Sequence, residues 1–280
     1  MYLDNKLLGL TNSVVFSALF SKPKYTANFL NSTSYFNVEE NDLRIEKKEF
    51  YENVNCKISN MDVVLRIEKS KELINLEFQN RETKYDMMGR LMIYLSRLIS
   101  TNEPKGKGYV LNKSTVLAIL NFTYFKDSEC IRTFKMSDEY EHSLEGYTII
   151  VIELTKKDFC NNIYLKKWLD LFLEENLETY ESEDEFMKEV VEEIKRLNAD
   201  EQMRINMIRE EIYEKDRLSE LEISKKEGLE EGIRQGLQQG LQQGLQQGSI
   251  NVAKNMKNKG LDLSLIVEMT GLDEETIKKI

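Results

Sequence analysis

Between Asn12 and Phe20 the apolar residues Val15, Phe16, Leu19 and Phe20 recur at helical spacing, and Pro23 closes that segment before a second apolar stretch, YTANFLNS. From Met61 the period shortens to two. MDVVLRIE (61–68) and LINLEFQ (73–79) are rich in β-forming residues, and the short polar link KSKE between them predicts an antiparallel hairpin. A two-residue loop at Lys69–Ser70 pairs Glu68 with Lys71 and brings Asp62 opposite Glu77, on the same face, because cross-strand partners project together. Glu77 and Gln79 share that face by strand alternation, while Leu76 and Phe78 point the other way. From Lys84 to Ile99, Met87, Leu91, Tyr94, Leu95 and Leu98 return to helical spacing, with Thr83, Arg90, Tyr94 and Arg97 along one flank. Ser114–Phe125 and Tyr147–Thr155 are nearly continuous apolar runs, as in central strands covered on both faces, and Cys130–Met136 predicts a more exposed strand. This order predicts an α/β layer architecture, with the helix after Gln79 as a right-handed crossover to the Ser114 strand.

Beyond Trp168 the periodicity is helical throughout. IYLKKWLDLFLEENL and EFMKEVVEEIKRL predict helices packed on the α/β body, with Trp168 in the core. Asp200 to Lys226 is highly charged around a sparse apolar stripe and predicts a long exposed or partner-facing helix. Next comes GLEEGIRQGLQQGLQQGLQQG, with glycine at 228, 232, 236, 240, 244 and 248. Each repeat advances by about 40° around a helix, so Gly and Leu form adjacent stripes. Each glycine also costs roughly 1 kcal/mol of helix propensity. The tract is therefore either a flexible linker or a self-associating helix whose glycines admit a partner backbone. In the closing KGLDLSLIVEMTGLDEETIKKI, Asp262 and Asp273 can cap two short helices in a helix-turn-helix outline, whose acidity favours protein contact over DNA reading. The pattern divides the chain into an α/β domain with packed helices (1–198), a charged and glycine-repeat helix or linker (199–250) and a small helical tail (251–280).

Charge refines this division. The net charge is −10, yet residues 1–164 carry 22 basic and 22 acidic side chains against 17 and 27 in residues 165–280, so the acidic excess lies in the C-terminal part. Arg81 to Lys107 holds six basic residues against three acidic ones, a local positive field that permits phosphate binding. Cys56, Cys130 and Cys160 are far apart, which predicts buried thiols in a reducing compartment rather than disulfides or a zinc site. With no long uncharged apolar run and no basic leader, the expectation is a cytoplasmic protein with no membrane partner. His142 is the only histidine, which excludes histidine triads and histidine-metal sites, and PKGKGY lacks the spacing of a phosphate loop. Carboxylate chemistry remains. Asp62 and Glu77 facing each other repel, a conflict that an oxygen-seeking Mg²⁺ or Mn²⁺ resolves by binding both and that solvation at a sheet edge also relieves.

Asp62, the fifteen-residue interval to Glu77, LEFQ ending at Gln79, and Arg90 and Tyr94 beyond it resemble the PD-(D/E)XK nuclease core. The form is the E-x-Q variant of the Rpn family of recombination-promoting nucleases and transposase-like proteins. TNSVVFSALFSKPKYTANFLN resembles that family's opening helix, KGKGYVLNKSTVLAILNFTYF its middle, IIVIELTKKD its last strand, and the glycine tract with KGLDLSLIVEMTGLDEETI its tail. The resemblance implies a restriction-endonuclease-like α/β core, a mixed central sheet flanked by helices, extended by an all-helical C-terminal region. It also implies a metal-dependent DNA endonuclease that uses Mg²⁺, or Mn²⁺ or Ca²⁺. Asp62, Glu77 and the Phe78 carbonyl would hold the cation, Gln79 would position the attacking water, and Lys84, Arg90, Tyr94 and Arg97 would contact DNA phosphates. Where the family carries an acid and a lysine in its first helix, this chain has Ser13 and Ser17. The alternative from another class is a catalytically degenerate relative acting as an oligomeric DNA-binding or protein-interaction module. In either case a homo-oligomer would form through the C-terminal helical region.

Overall fold

The computed structural model of the chain describes residues 7–46, 61–82, 86–102, 111–180 and 182–280. They fall into two compact units, Met1–Ile212 and Tyr213–Ile280. The first opens with α1 (Ser13–Phe20), whose N-cap Asn12 accepts from the N–H groups of Val14 and Val15. Pro23 begins α2 (Pro23–Ser32), at a position where a missing N–H has no helical partner to lose. A 3₁₀ turn at Glu40–Asp42 leads to β1 (Leu43–Ile45), followed by β2 (Val63–Ile67), β3 (Glu72–Gln79), α3 (Met87–Thr101), β4 (Ser114–Leu120), β5 (Ile131–Ser137) and β6 (Ser143–Glu153). A second 3₁₀ segment, Leu154–Phe159, precedes α4 (Ile163–Phe172), α5 (Glu185–Ala199) and α6 (Glu201–Asn258).

The six strands form one mixed sheet in the order β1-β2-β3-β4-β6-β5. Pairs β1–β2, β2–β3 and β5–β6 are antiparallel, whereas β3–β4 and β4–β6 are parallel. The hairpin has the expected register, Val63 opposite Leu76 and Ile67 opposite Glu72, although its turn spans 68–71 rather than two residues. Alternation explains why the register holds. Val63, Leu65, Ile74, Leu76 and Phe78 enter a large core with α1, α2, α4 and α5, and a slip of one residue would turn all of them outward. The other face carries Val64, Leu73, Val116 and Ala118 under the buried side of α3, Leu91, Tyr94, Leu95 and Leu98. Trp168 is fully buried, as its spacing predicts, and its Nε1 donates to Asn28 Oδ1 at 3.0 Å.

Several departures from the sequence pattern have a local reason. α3 begins at Met87 because Asp86 caps it, accepting from Met88 and Gly89 N–H. β4 ends at Leu120, and the backbone N–H groups of Tyr124 and Phe125 turn away to bind Glu153 Oε1. β1, a three-residue strand, lies below the length at which alternation is legible.

In the second unit the glycine tract is α-helical throughout. Leu229, Ile233, Leu237, Leu241 and Leu245 are exposed along it, and a Cβ placed on any of its six glycines would meet nothing within 4 Å. The tail forms α7 (Leu263–Thr270) and α8 (Glu274–Lys279), capped by Asp262 and Asp273 as their positions predict. Gly271 supplies the left-handed turn between them at φ 68°. Ala253, Ile266 and Ile277 make a small core, and Lys257 Nζ donates to the carbonyls of Ile277, Lys278 and Ile280 at 2.9–3.0 Å. Among the described residues no helix is long and apolar enough to cross a membrane.

Because the space around the glycines is open, adding methyl groups there changes propensity alone. Gly236→Ala, Gly240→Ala and Gly244→Ala together should stabilise the helix by roughly 2–3 kcal/mol. Thermal unfolding followed by circular dichroism at 222 nm should show a higher melting temperature for the tract. An equal or lower melting temperature would show that the tract is not helical in solution.

Candidate active site

Strand β3 carries three polar side chains in alternation, Asn75, Glu77 and Gln79, beneath α3. Between them Phe78 faces the opposite core, its ring stacked 5.5 Å from that of Phe16 and 5.8 Å from that of Phe172. This packing fixes the strand so that its polar row has only one direction in which to point. Asp62 lies one residue before β2, at the position that continues the register to Glu77. The two acids do share a face, and each grips the other's strand. Phe78 N–H donates to Asp62 Oδ2 at 2.8 Å, and Asp62 N–H approaches Glu77 Oε2 at 3.4 Å.

Glu77 is 1% exposed. Its Oε1 accepts from Gln79 Nε2 at 2.9 Å and from Arg90 Nη2 at 3.2 Å. Its Oε2 faces Asp62 N–H and, at 3.5 Å, Asn75 Nδ2. Gln79 is held at both ends, its Nε2 also donating to the Phe78 carbonyl at 3.1 Å while its Oε1 accepts from Arg90 Nη1 at 3.1 Å. Arg90 in turn donates through Nε to Tyr94 Oη at 2.8 Å. Burial, reinforced by the neighbouring Asp62 charge and opposed by Arg90, pushes the Glu77 carboxyl up to about 8. Burial and then the Glu77 charge push the Tyr94 hydroxyl up to about 12.

Helix α3 delivers Arg90 to this point through a tight N-terminus. A Cβ at Gly89 would come within 2.8 Å of Asp86 Oδ2, so glycine lets the capping carboxylate sit against the first turn. Tyr124 Oη donates to Asp86 Oδ1 at 3.2 Å, joining the cap to the loop after β4. That loop rests on Glu153, also 1% exposed, which accepts from Tyr124 and Phe125 N–H and from the buried Lys156 Nζ at 2.7 Å. Glu153 lies on the same sheet face, one strand beyond Leu120, in the cross-strand row that starts at Gln79.

The structure therefore brings Asp62, Glu77, Phe78, Gln79, Arg90 and Tyr94 together. Arg90, expected at phosphates, directs its guanidinium inward to Glu77, Gln79 and Tyr94, leaving its 34%-exposed side to the outside. The described contacts do not join Arg97 to this group, and Lys84 lies outside the described residues. Asn75, Tyr124, Glu153 and Lys156 were not singled out by the sequence pattern. Asn75 had a legible signal, since N-x-E-x-Q places three polar residues on one strand face. The others are set by a loop and a 3₁₀ segment without periodicity.

For a divalent cation the available donors are the carboxylates of Asp62 and Glu77 and the carbonyl of Phe78, all hard oxygens suited to Mg²⁺. No group of three or more His, Cys, Asp or Glu with metal-binding placement occurs among the described residues. Glu77 pairs with the Arg90 guanidinium, and the Asp62 charge beside it raises the Glu77 carboxyl further. This donor set fits a divalent ion completed by water.

A family model described as PD-(D/E)XK nuclease family transposase matches residues 10–224. Another, described as Rpn/YhgA-like nuclease family, C-terminal HTH domain, matches residues 246–280, where α7 and α8 lie. No curated protein and no solved structure matches the chain.

The raised Glu77 carboxyl has a pH consequence of definite sign. Folded Glu77 keeps its proton to about 8, so its favourable contribution is complete below the ordinary carboxylate range and is lost as pH rises through about 8. Without divalent ions, the melting temperature of the wild type should decline more steeply between about pH 5 and pH 8.5 than that of Glu77→Gln, which cannot ionise. Parallel slopes would show that Glu77 titrates like a solvated acid.

Proposed function

Since the chain belongs to the PD-(D/E)XK nuclease family transposases of the Rpn type, we propose that it is a divalent-metal-dependent endonuclease that hydrolyses DNA phosphodiester bonds. The observation that carries this is the convergence of Asp62 and Glu77 on one sheet face, each within hydrogen-bond reach of the other's strand. Asp62, Glu77 and the Phe78 carbonyl are the ligands for Mg²⁺, with Mn²⁺ or Ca²⁺ as substitutes. Bound there, the ion would polarise a phosphodiester and lower the pKa of a water.

The chain's own side chains do the rest. Gln79 stands where the superfamily motif has lysine, and its neutral amide adds no second cation beside Glu77. Clamped by Arg90 and Glu77, it presents a fixed amide that can orient a water or a phosphate oxygen. Arg90 stabilises charge through the N–H groups it does not spend on Glu77, Gln79 and Tyr94, with Tyr94 bracing it. Lys84 and Arg97 are further phosphate contacts in this proposal. DNA is the partner, a role the HTH description of the tail supports over the protein-contact role its acidity favours. A cytoplasmic setting accords with that substrate.

A second role has its own observation. Arg90 already pairs with Glu77, and Ser13 and Ser17 replace the polar pair of the family's first helix. A chain so altered could retain the fold as a catalytically inactive, oligomeric DNA-binding or protein-interaction module. The exposed Leu229–Leu245 stripe beside open glycines would pair its copies.

Plasmid cleavage separates the two. Wild-type protein should nick supercoiled DNA in Mg²⁺ or Mn²⁺ and not in EDTA, and Asp62→Ala and Glu77→Ala should each lower the rate by more than about 100-fold. Cleavage untouched by either substitution would assign the activity elsewhere. Inactivity of all three proteins would leave the interaction module.

A further inference from the structure

We propose that Asn75 is a positioning residue for Glu77, fixing the carboxylate in the orientation that receives the divalent ion. This rests on the metal-centre proposal above and extends it to a residue outside the E-x-Q motif. Asn75 is fully buried, and its Oδ1 has no hydrogen-bond partner among the described residues. Its one side-chain contact of this kind is Nδ2 to Glu77 Oε2 at 3.5 Å.

The other buried asparagines show how unusual this is. Asn12 caps α1 through Oδ1 and donates to the Met207 carbonyl. Asn102 accepts from Arg66 and donates to the carbonyls of Lys71 and Lys113. Asn198 accepts from Leu8 N–H and donates to the Leu8 and Ile194 carbonyls. Each of these three uses both ends of its amide, with at least one end tied to backbone, and each has an evident structural purpose. Asn75 ties no backbone. It sits on a strand, where asparagine is disfavoured, among the apolar residues under α3, and it carries the uncompensated desolvation of a buried carbonyl. For stability alone an apolar residue of similar size would serve better at this position.

What the amide does accomplish is directional. Glu77 Oε1 is fixed by Gln79 and Arg90, and Oε2 by the Asp62 N–H and Asn75. Of these four donors, Arg90 is the side chain that reaches Glu77 from α3, and in this proposal it is the one that yields its place. With Oε2 held toward Asp62, release of Arg90 leaves the carboxylate plane unchanged and one lone pair free. The 3.5 Å separation makes Asn75 the weakest of the four contacts, so its value lies in setting a direction. Outer partners of this kind orient metal ligands without touching the metal.

The test is calorimetric Mn²⁺ titration of the full-length chain together with its melting temperature. Asn75→Leu should melt at or above the wild-type temperature while binding Mn²⁺ about 10–100-fold more weakly. Glu77→Gln should abolish binding. Should leucine overfill the position and lower the melting temperature, Asn75→Ala removes the same donor without added volume and must show the same loss of affinity. Affinity within about twofold of wild type in the folded Asn75 variant, with Glu77→Gln still abolishing it, would overturn the positioning role and leave the metal centre intact. Absence of Mn²⁺ binding by the wild type would overturn both.

Discussion

A carboxylate shut almost completely away from water beneath a helix is the constraint around which this site is arranged. Glu77 cannot ionise there without donors on both oxygens, and the surrounding elements supply them: Gln79 and Asn75 from its own strand, Asp62 N–H from the entry to β2, and Arg90 from α3. The price of that burial is visible in the upward displacement of its titration. Arg90 relieves it in part. The second acid, Asp62, raises it further, and in the proposed function the two acids would share an oxygen-coordinated divalent ion.

The fold's other fully enclosed glutamate shows the contrast. Glu153 receives two backbone N–H groups and the ammonium of Lys156, which also lies 3.7 Å from Asp127 Oδ1. Its effect is to secure the loop that carries Tyr124 to the cap of α3. One buried acid therefore secures a loop, whereas the other faces a second carboxylate. Both lie on the face of the sheet covered by α3, and the opposite face is an aromatic core in which Phe78 is wedged between Phe16 and Phe172. Packing on one side thus determines the direction of chemistry on the other.

Much of this was legible in the sequence. Alternation in MDVVLRIE and LINLEFQ gave the hairpin register, and the register alone placed Asp62 opposite Glu77. Helical spacing placed Arg90 and Tyr94 on the face that meets Gln79. The turn length, by contrast, was misjudged by two residues, because the register tolerates either loop. The inward turn of Arg90 was not legible, since it depends on a buried charge that no periodicity reports. Asn75 was hidden inside an apolar run, where a single amide looks like a tolerated exception until its unsatisfied oxygen is seen. In the glycine tract the repeat was obvious but its conformation was not, because propensity argues against the helix that is observed.

The most direct measurement is anomalous diffraction at the manganese edge from crystals grown with Mn²⁺. The expected result is one peak between the carboxylates of Asp62 and Glu77, with the Arg90 guanidinium moved away from Glu77 Oε1. Crystals in which that position is empty while Mn²⁺ binds elsewhere, and in which Arg90 still pairs with Glu77, would contradict a shared cation as the reason these two acids converge.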